Sequence, residues 1–221
     1  MYKKLLFVIS CLGMVGCGHN PIILNNANAI KNKEVAIAKH DKPNFTAFTP
    51  GRVAGGQFGI LGALIGEKVS GKTGNEIIAE FNIEDPAPYI AEKLSAELAA
   101  NYGTTVSSKP MAVTGNDVAE ILKSAASADL VLDIVTHDWR FAYFATSWSK
   151  YRIVYLAGLR LIDTRSGEIL ATGTCSRDSN ETPTSPTQDE LLANNAERLK
   201  KELREAADFC VSEFKSKALN L

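Results

Sequence analysis

The chain has 221 residues, 45% apolar and 22% charged, close to the averages of a soluble globular protein, which excludes a wholly disordered chain, a collagen-like repeat and a polytopic membrane protein. That length suits one domain or at most two small ones. The 24 Lys and Arg face 25 Asp and Glu, a formal net charge of −1, so no basic surplus exists to bind nucleic acid by neutralising phosphates. Three His and four Cys leave little material for a metal cluster, and no cofactor is expected.

Met1-Tyr2-Lys3-Lys4, the apolar run Leu5 to Val15 and then Gly16 make the three-part pattern of a secretory signal. The run is too short to span a hydrocarbon core, which needs about 20 residues. Met14-Val15-Gly16-Cys17 resembles a bacterial lipobox. The rival Val8-Ile9-Ser10-Cys11 would leave an apolar run too short for export. The resemblance implies that residues 1–16 are removed and that Cys17 carries several acyl chains into the lipid bilayer. One chain alone anchors marginally, at about 0.8 kcal/mol per buried methylene, whereas several anchor stably. Gly18 in place of aspartate implies sorting to the outer membrane, on its periplasmic face. Losing Lys3 and Lys4 takes the net charge from −1 to −3.

Residues 17–33, with Asn20, Asn25, Asn26, Asn28 and Asn32, read as a flexible tether. Residues 34–82 open with a short edge strand around Lys33 to Lys39 and continue into a glycine-rich segment. There Gly55, Gly59, Gly62 and Gly66 recur at helical spacing and would let another backbone approach closely. A flexible loop is the equal alternative.

Residues 83–221 read as an α+β domain. Asp85 is a candidate N-cap with Pro86 at the first helical position, followed by the stripe Ile90, Leu94, Leu98 and a stop at Gly103. Thr104 to Ser107 is a short strand. Thr114 or Asn116 caps a second helix with stripe Val118, Ile121, Leu122 and Ala125. Three strands follow: Asp129 to about Phe144, Tyr151 to Asp163, and Glu168 to Cys175. In the second, Tyr151, Ile153, Tyr155, Ala157, Leu159 and Leu161 alternate with polar positions such as Arg152 and Arg160. Gly167 supplies a positive φ in the turn before the third. A long amphipathic helix from Gln188 to about Ala218 carries Leu192, Ala196, Leu199, Leu203, Ala206, Cys210 and Phe214. The expected architecture is a mostly antiparallel sheet packed on one face by helices.

Cys175 and Cys210 would both face the helix–sheet interface, and export to an oxidising compartment favours a disulfide between them. Gly66-Glu67-Lys68-Val69-Ser70-Gly71-Lys72-Thr73 matches the phosphate-binding pattern G-x-x-x-x-G-K-[ST], with Asp133 as a possible metal-holding aspartate. The bulky residues inside the loop and the meander of strands beyond residue 129 argue against nucleotide binding. His137 and Asp138 are neighbours on a strand and would point to opposite faces, so no acid–base pair is expected. Phe141, Tyr143, Phe144, Trp148 and Tyr151 surround Ala145-Thr146-Ser147 and read as an exposed contact patch at a hairpin tip.

Ala128-Asp129-Leu130-Val131-Leu132-Asp133, together with Leu161-Ile162-Asp163-Thr164-Arg165-Ser166-Gly167-Glu168-Ile169-Leu170, resembles a small envelope domain. It is the α/β domain of the curli secretion lipoprotein, of the Tol-system propeller protein's amino-terminal domain and of lipoprotein activators of penicillin-binding proteins. Asn82-Ile83-Glu84-Asp85-Pro86-Ala87 resembles a set of proteobacterial lipoproteins of unassigned function. The resemblance implies binding to an envelope protein or self-association, and no catalytic residue. The expectation is a lipid-anchored, non-catalytic interaction or assembly module. The alternatives are a nucleotide-binding enzyme using Lys72 and Thr73, and self-assembly through the glycine-rich segment.

Overall fold

The computed structural model describes residues 21–50, 73–108, 111–125 and 127–221. Cys17, Gly55, Gly59, Gly62, Gly66 and Lys72 lie outside them. Among the described residues are seven strands, β1 (Glu34–Lys39), β2 (Thr46–Phe48), β3 (Thr105–Val106), β4 (Met111–Ala112), β5 (Leu130–Phe144), β6 (Ser147–Asp163) and β7 (Ile169–Asp178). Four α-helices join them, α1 (Gly74–Glu80), α2 (Pro86–Tyr102), α3 (Val118–Ser124) and α4 (Gln188–Phe214). The strands form an open sheet in the order β3-β1-β5-β6-β7. Further along their lengths, β2 pairs with β5 and β4 with β1.

The long β5–β6 and β6–β7 ladders are antiparallel and dominate the pairing, while β1 and β2 add short parallel ladders to β5. β1 is an internal strand and not the edge strand expected, because β3 and β4 cover its other side. The period-two pattern of β6 is realised: Tyr151, Ile153, Tyr155, Ala157, Leu159 and Leu161 are all buried. They join Leu130, Leu132 and Ile134 of β5 against Ile90, Leu94 and Leu98 of α2 and Leu199, Leu203 and Phe214 of α4. Burying each such side chain stabilises by about 1.5–3 kcal/mol. The short α3 adds a second, smaller cluster on the opposite face, where Ile121 and Ala125 meet Val131 and Ile162.

Helix ends follow their chemistry. Asp85 caps α2 by accepting from Ala87 N–H, and Gly103 closes it in the left-handed region at φ +68°. At α3 the N-cap is Asp117, without a side-chain bond, and not Thr114 or Asn116. Thr187 and Glu190 form a capping box at the start of α4. That helix is broken early: Ala193 is extended and Asn194, Asn195 and Ala196 are left-handed. The break re-phases the helix, so Leu191 is fully buried and Leu192, expected in the stripe, is only partly covered. A π-helical turn, Lys215–Leu219, ends the element.

Within the stretch expected to be a free tether as far as residue 33, the chain is docked at Ile22, Leu24 and Ile30. Leu24 N–H donates to Ala218 O at 2.8 Å, and Thr172 N–H donates to Ile22 O at 2.8 Å. Leu24 and Ile30 are buried. The asparagines shape this segment, since Asn26 accepts from Asn28 N–H and Asn32 turns the chain at φ +57°. No helix among the described residues is long and apolar enough to cross a membrane.

Candidate functional site

β1 and β5 run side by side only as far as Ile37 opposite Leu132. Beyond that point β1 swings to β4, pairing Ala38 with Met111, and β2 rejoins β5 only at Thr46 opposite Arg140. Along Asp133–Trp139 the edge of β5 therefore carries no neighbouring strand. The sheet splits there, and the split opens into a cavity of ≈ 610 Å³. Ile37 and His40 come from the β1 side, Ile134 and Thr136 from β5, Asp85 from the start of α2, and Val113 to Asn116 from the segment before α3.

Two polar groups hold the walls. On one face of the sheet Asp133, with no exposed surface, receives Arg160 through Nε at 2.8 Å and Nη2 at 2.6 Å on its Oδ2. His40 Nε2 lies 2.5 Å from its Oδ1, and Arg160 Nη1 also donates to Asn116 O at 2.7 Å. Both Asp133 oxygens are thus occupied. His40 meets Asp133 through Nε2, and its Nδ1 has no hydrogen-bond partner among the described residues.

On the other wall Thr136 donates its hydroxyl to Asp85 Oδ1 at 2.5 Å and accepts from Tyr155 OH at 2.9 Å. Burial pushes the Tyr155 phenol well above its ordinary value, so it stays a donor. Burial also raises Asp85, against the lowering influence of Thr136, Ala87 N–H, Lys42 and His40. Asp85 Oδ1 already accepts from Ala87 N–H and Thr136, and Oδ2 has no hydrogen-bond partner among the described residues. Lys42 is held elsewhere, donating to Ile83 O at 2.5 Å and lying 5.7 Å from the Trp139 ring centre.

Cys175 on β7 and Cys210 on α4 form a disulfide with their Cα atoms 5.4 Å apart. Thr73 and Asp133 are not brought together. Thr73 is the N-cap of α1, where its hydroxyl accepts from Glu76 N–H and Glu76 returns a bond to Thr73 N–H. α1 starts against Phe45 and Ala47, and Ala47 pairs with Phe141, eight residues along β5 from Asp133. That is roughly 25 Å along the strand. His137 is the extra residue of a β-bulge between Thr136 and Asp138 and lies over Gly158, where a Cβ would meet its Nε2 at 2.6 Å. Of the aromatic stretch, Phe141, Phe144 and Tyr151 are core residues and Tyr143 is half-buried. Trp148 alone among the five is strongly exposed, at 67%. The expected patch is therefore one indole packed edge-on to Tyr143 at the hairpin tip.

No protein-family model matches the chain, and no curated protein matches it. Among solved structures it is similar to the PelC dodecamer from Paraburkholderia phytofirmans, at 15% identity over 80% of this chain and 89% of that one, with a TM-score of 0.32. It is similar to uncharacterized lipoprotein B from Nitrosomonas europaea, at 12% identity over 85% and 87%, TM-score 0.34. It is also similar to the LpoB C-terminal domain from Salmonella enterica, at 12% identity over 68% and 85%, TM-score 0.29. Likenesses this distant carry no argument about activity.

Proposed function

We propose that this chain is a bacterial envelope lipoprotein, anchored through acylated Cys17 at the periplasmic face of the outer membrane, that acts as a non-catalytic interaction or assembly module. The observation that carries this reading is Cys17 itself, placed directly behind a lysine-headed apolar run and five residues before Ile22, which is hydrogen-bonded to Thr172. The Cys175–Cys210 disulfide supports export, since such bonds persist in oxidising compartments. Non-catalysis is supported by the way the polar groups are used. Both oxygens of the Asp133 carboxylate are occupied by Arg160 and His40.

The test is metabolic labelling of the full chain with an alkyne-tagged fatty acid, followed by crosslinking in living cells. Wild type should be labelled and sediment with membranes, and Cys17→Ala should be unlabelled and released. Label that survives Cys17→Ala removes the anchor assignment. Reproducible crosslinks to an envelope protein or to a second copy support the module, and Lys72→Ala should leave them unchanged. Loss of function in Lys72→Ala with its fold intact would transfer the argument to nucleotide chemistry.

A further inference from the structure

The cavity in the split sheet is equipped for a positively charged guest. Asp85 stands on its wall with one carboxylate oxygen bonded within the fold and the other, Oδ2, without a protein hydrogen-bond partner among the described residues. The Asp85 side chain is half-buried and has lost part of its hydration, and a cation that enters beside Oδ2 offsets that loss. Two lysines are close by: Lys39 lines the cavity at its exposed rim, and Lys42, whose charge acts on Asp85, is fixed on Ile83 O and the Trp139 ring; neither hydrogen-bonds to Asp85 among the described residues. His40 lines the same cavity with Nε2 committed to Asp133 and Nδ1 without a partner among the described residues; in the tautomer with hydrogen on Nε2, Nδ1 is an acceptor. Asp41 adds a further negative charge at the exposed rim. The lining also carries the aliphatic side chains Ile37, Val113 and Ile134, alongside Ser107, Ser108 and Thr114.

An ammonium group suits this set. It carries three donors, no acceptor and one positive charge, so it can donate to Oδ2 and to Nδ1 at once. The aliphatic wall asks for an alkyl stem behind it, as small-ligand sites pair a few placed polar groups with an apolar lining. We propose that the cavity between β1 and β5 binds an alkylammonium group, with Asp85 Oδ2 as its anionic partner, His40 Nδ1 as its second acceptor and Ile37, Val113 and Ile134 against its stem. The group belongs either to a free amine or to a lysine side chain. This assignment rests on the cavity alone and is independent of the anchor at Cys17.

The test is calorimetric titration of the purified full chain with n-butylamine and with Nα-acetyl-lysine N-methylamide. 1-Butanol and Nα-acetyl-norleucine N-methylamide serve as uncharged controls. Both amines should bind and neither control should. Tighter binding of the lysine derivative identifies a protein side chain as the source, and tighter binding of butylamine identifies a free amine. Asp85→Asn should weaken amine binding at least tenfold, and His40→Gln by a few fold. Asparagine caps a helix as well as aspartate, so Asp85→Asn should stay folded at neutral pH, with a melting temperature no lower than wild type, and a lost fold will not imitate lost binding. No heat from either amine, equal binding of the neutral controls, or unchanged affinity in folded Asp85→Asn each overturns the proposal.

Discussion

Asp133 carries its carboxylate at zero exposure and shares it between Arg160 and His40. Removing one partner leaves a buried charge half-answered, which typically costs about 3–5 kcal/mol. The Arg160 side chain is 25% exposed, so Arg160→Met should fall near the lower end, about 2–3 kcal/mol in urea unfolding. The double change Arg160→Met with Asp133→Leu should recover most of the loss, because no lone charge remains; a double variant no more stable than the single would refute this account. Two other carboxylates give pH dependence of opposite sign. Burial pushes Asp163 up, but the Lys33 ammonium and the Ser166 and Arg165 N–H groups hold it at about 2. Its contribution is fully present above the unfolded value of about 3.9 and is lost as pH falls towards 2. Asp163→Asn should therefore be less stable than wild type at pH 5, and the gap should close at pH 2. Asp85 is raised by burial, so its contribution is present in acid and fades as pH rises through its elevated value. Asp85→Asn should gain stability relative to wild type between acid and neutral pH. Urea melts of the three proteins across that range check both signs.

At the scale of elements, the disulfide ties β7 to α4 across a separation of 35 residues. Closing such a loop stabilises by about 3–4 kcal/mol in the chain-entropy treatment. The Cys175→Ala, Cys210→Ala pair should lower the melting temperature, and mild reduction of wild type should reproduce the shift. Gly74 matters for a steric reason and not a conformational one: a Cβ there would lie 2.1 Å from Phe45 O and 2.9 Å from Ala47 N, both backbone atoms. Gly74→Ala must push α1 off β2, at a cost of about 1–3 kcal/mol. Elements with a strong local code were readable in advance. Asp85-Pro86 and Gly103 bracket α2, and the alternation of β6 marks its buried face. α1 was hidden although its capping box is written as Thr73 and Glu76, because the same threonine closes a phosphate-loop pattern. The Asp133–Arg160 pair was hidden by register. Counting back from Phe144 opposite Ser147 sets Asp133 against Gly158, and bulges at Tyr143/Phe144 and Thr136/Asp138 move it to Arg160. His40 was out of sight for a different reason: its partner lies 93 residues away, and nothing local announces it.

Across the whole molecule, the docked N-terminal segment ties the proposed anchor to one end of the fold. Ile22 is five residues from Cys17, a reach of at most about 18 Å. Ile22 lies on Thr172, which pairs through β7 with Arg160. Trp148 is twelve residues from Arg160 along β6, roughly 40 Å away. A 20-residue glycine–serine insert after Gly18 would lengthen the reach to about 25 Å root-mean-square. In cells, crosslinks from the anchored end to membrane neighbours should then decline, while those from Trp148 change less. Without the insert, an anchor at Cys17 as proposed would hold the domain within its short reach of the lipid. It would confine the domain to a thin shell beside its leaflet, where encounters are two-dimensional and the local concentration of membrane neighbours is high. Anything farther off than the length of the domain has to travel to it.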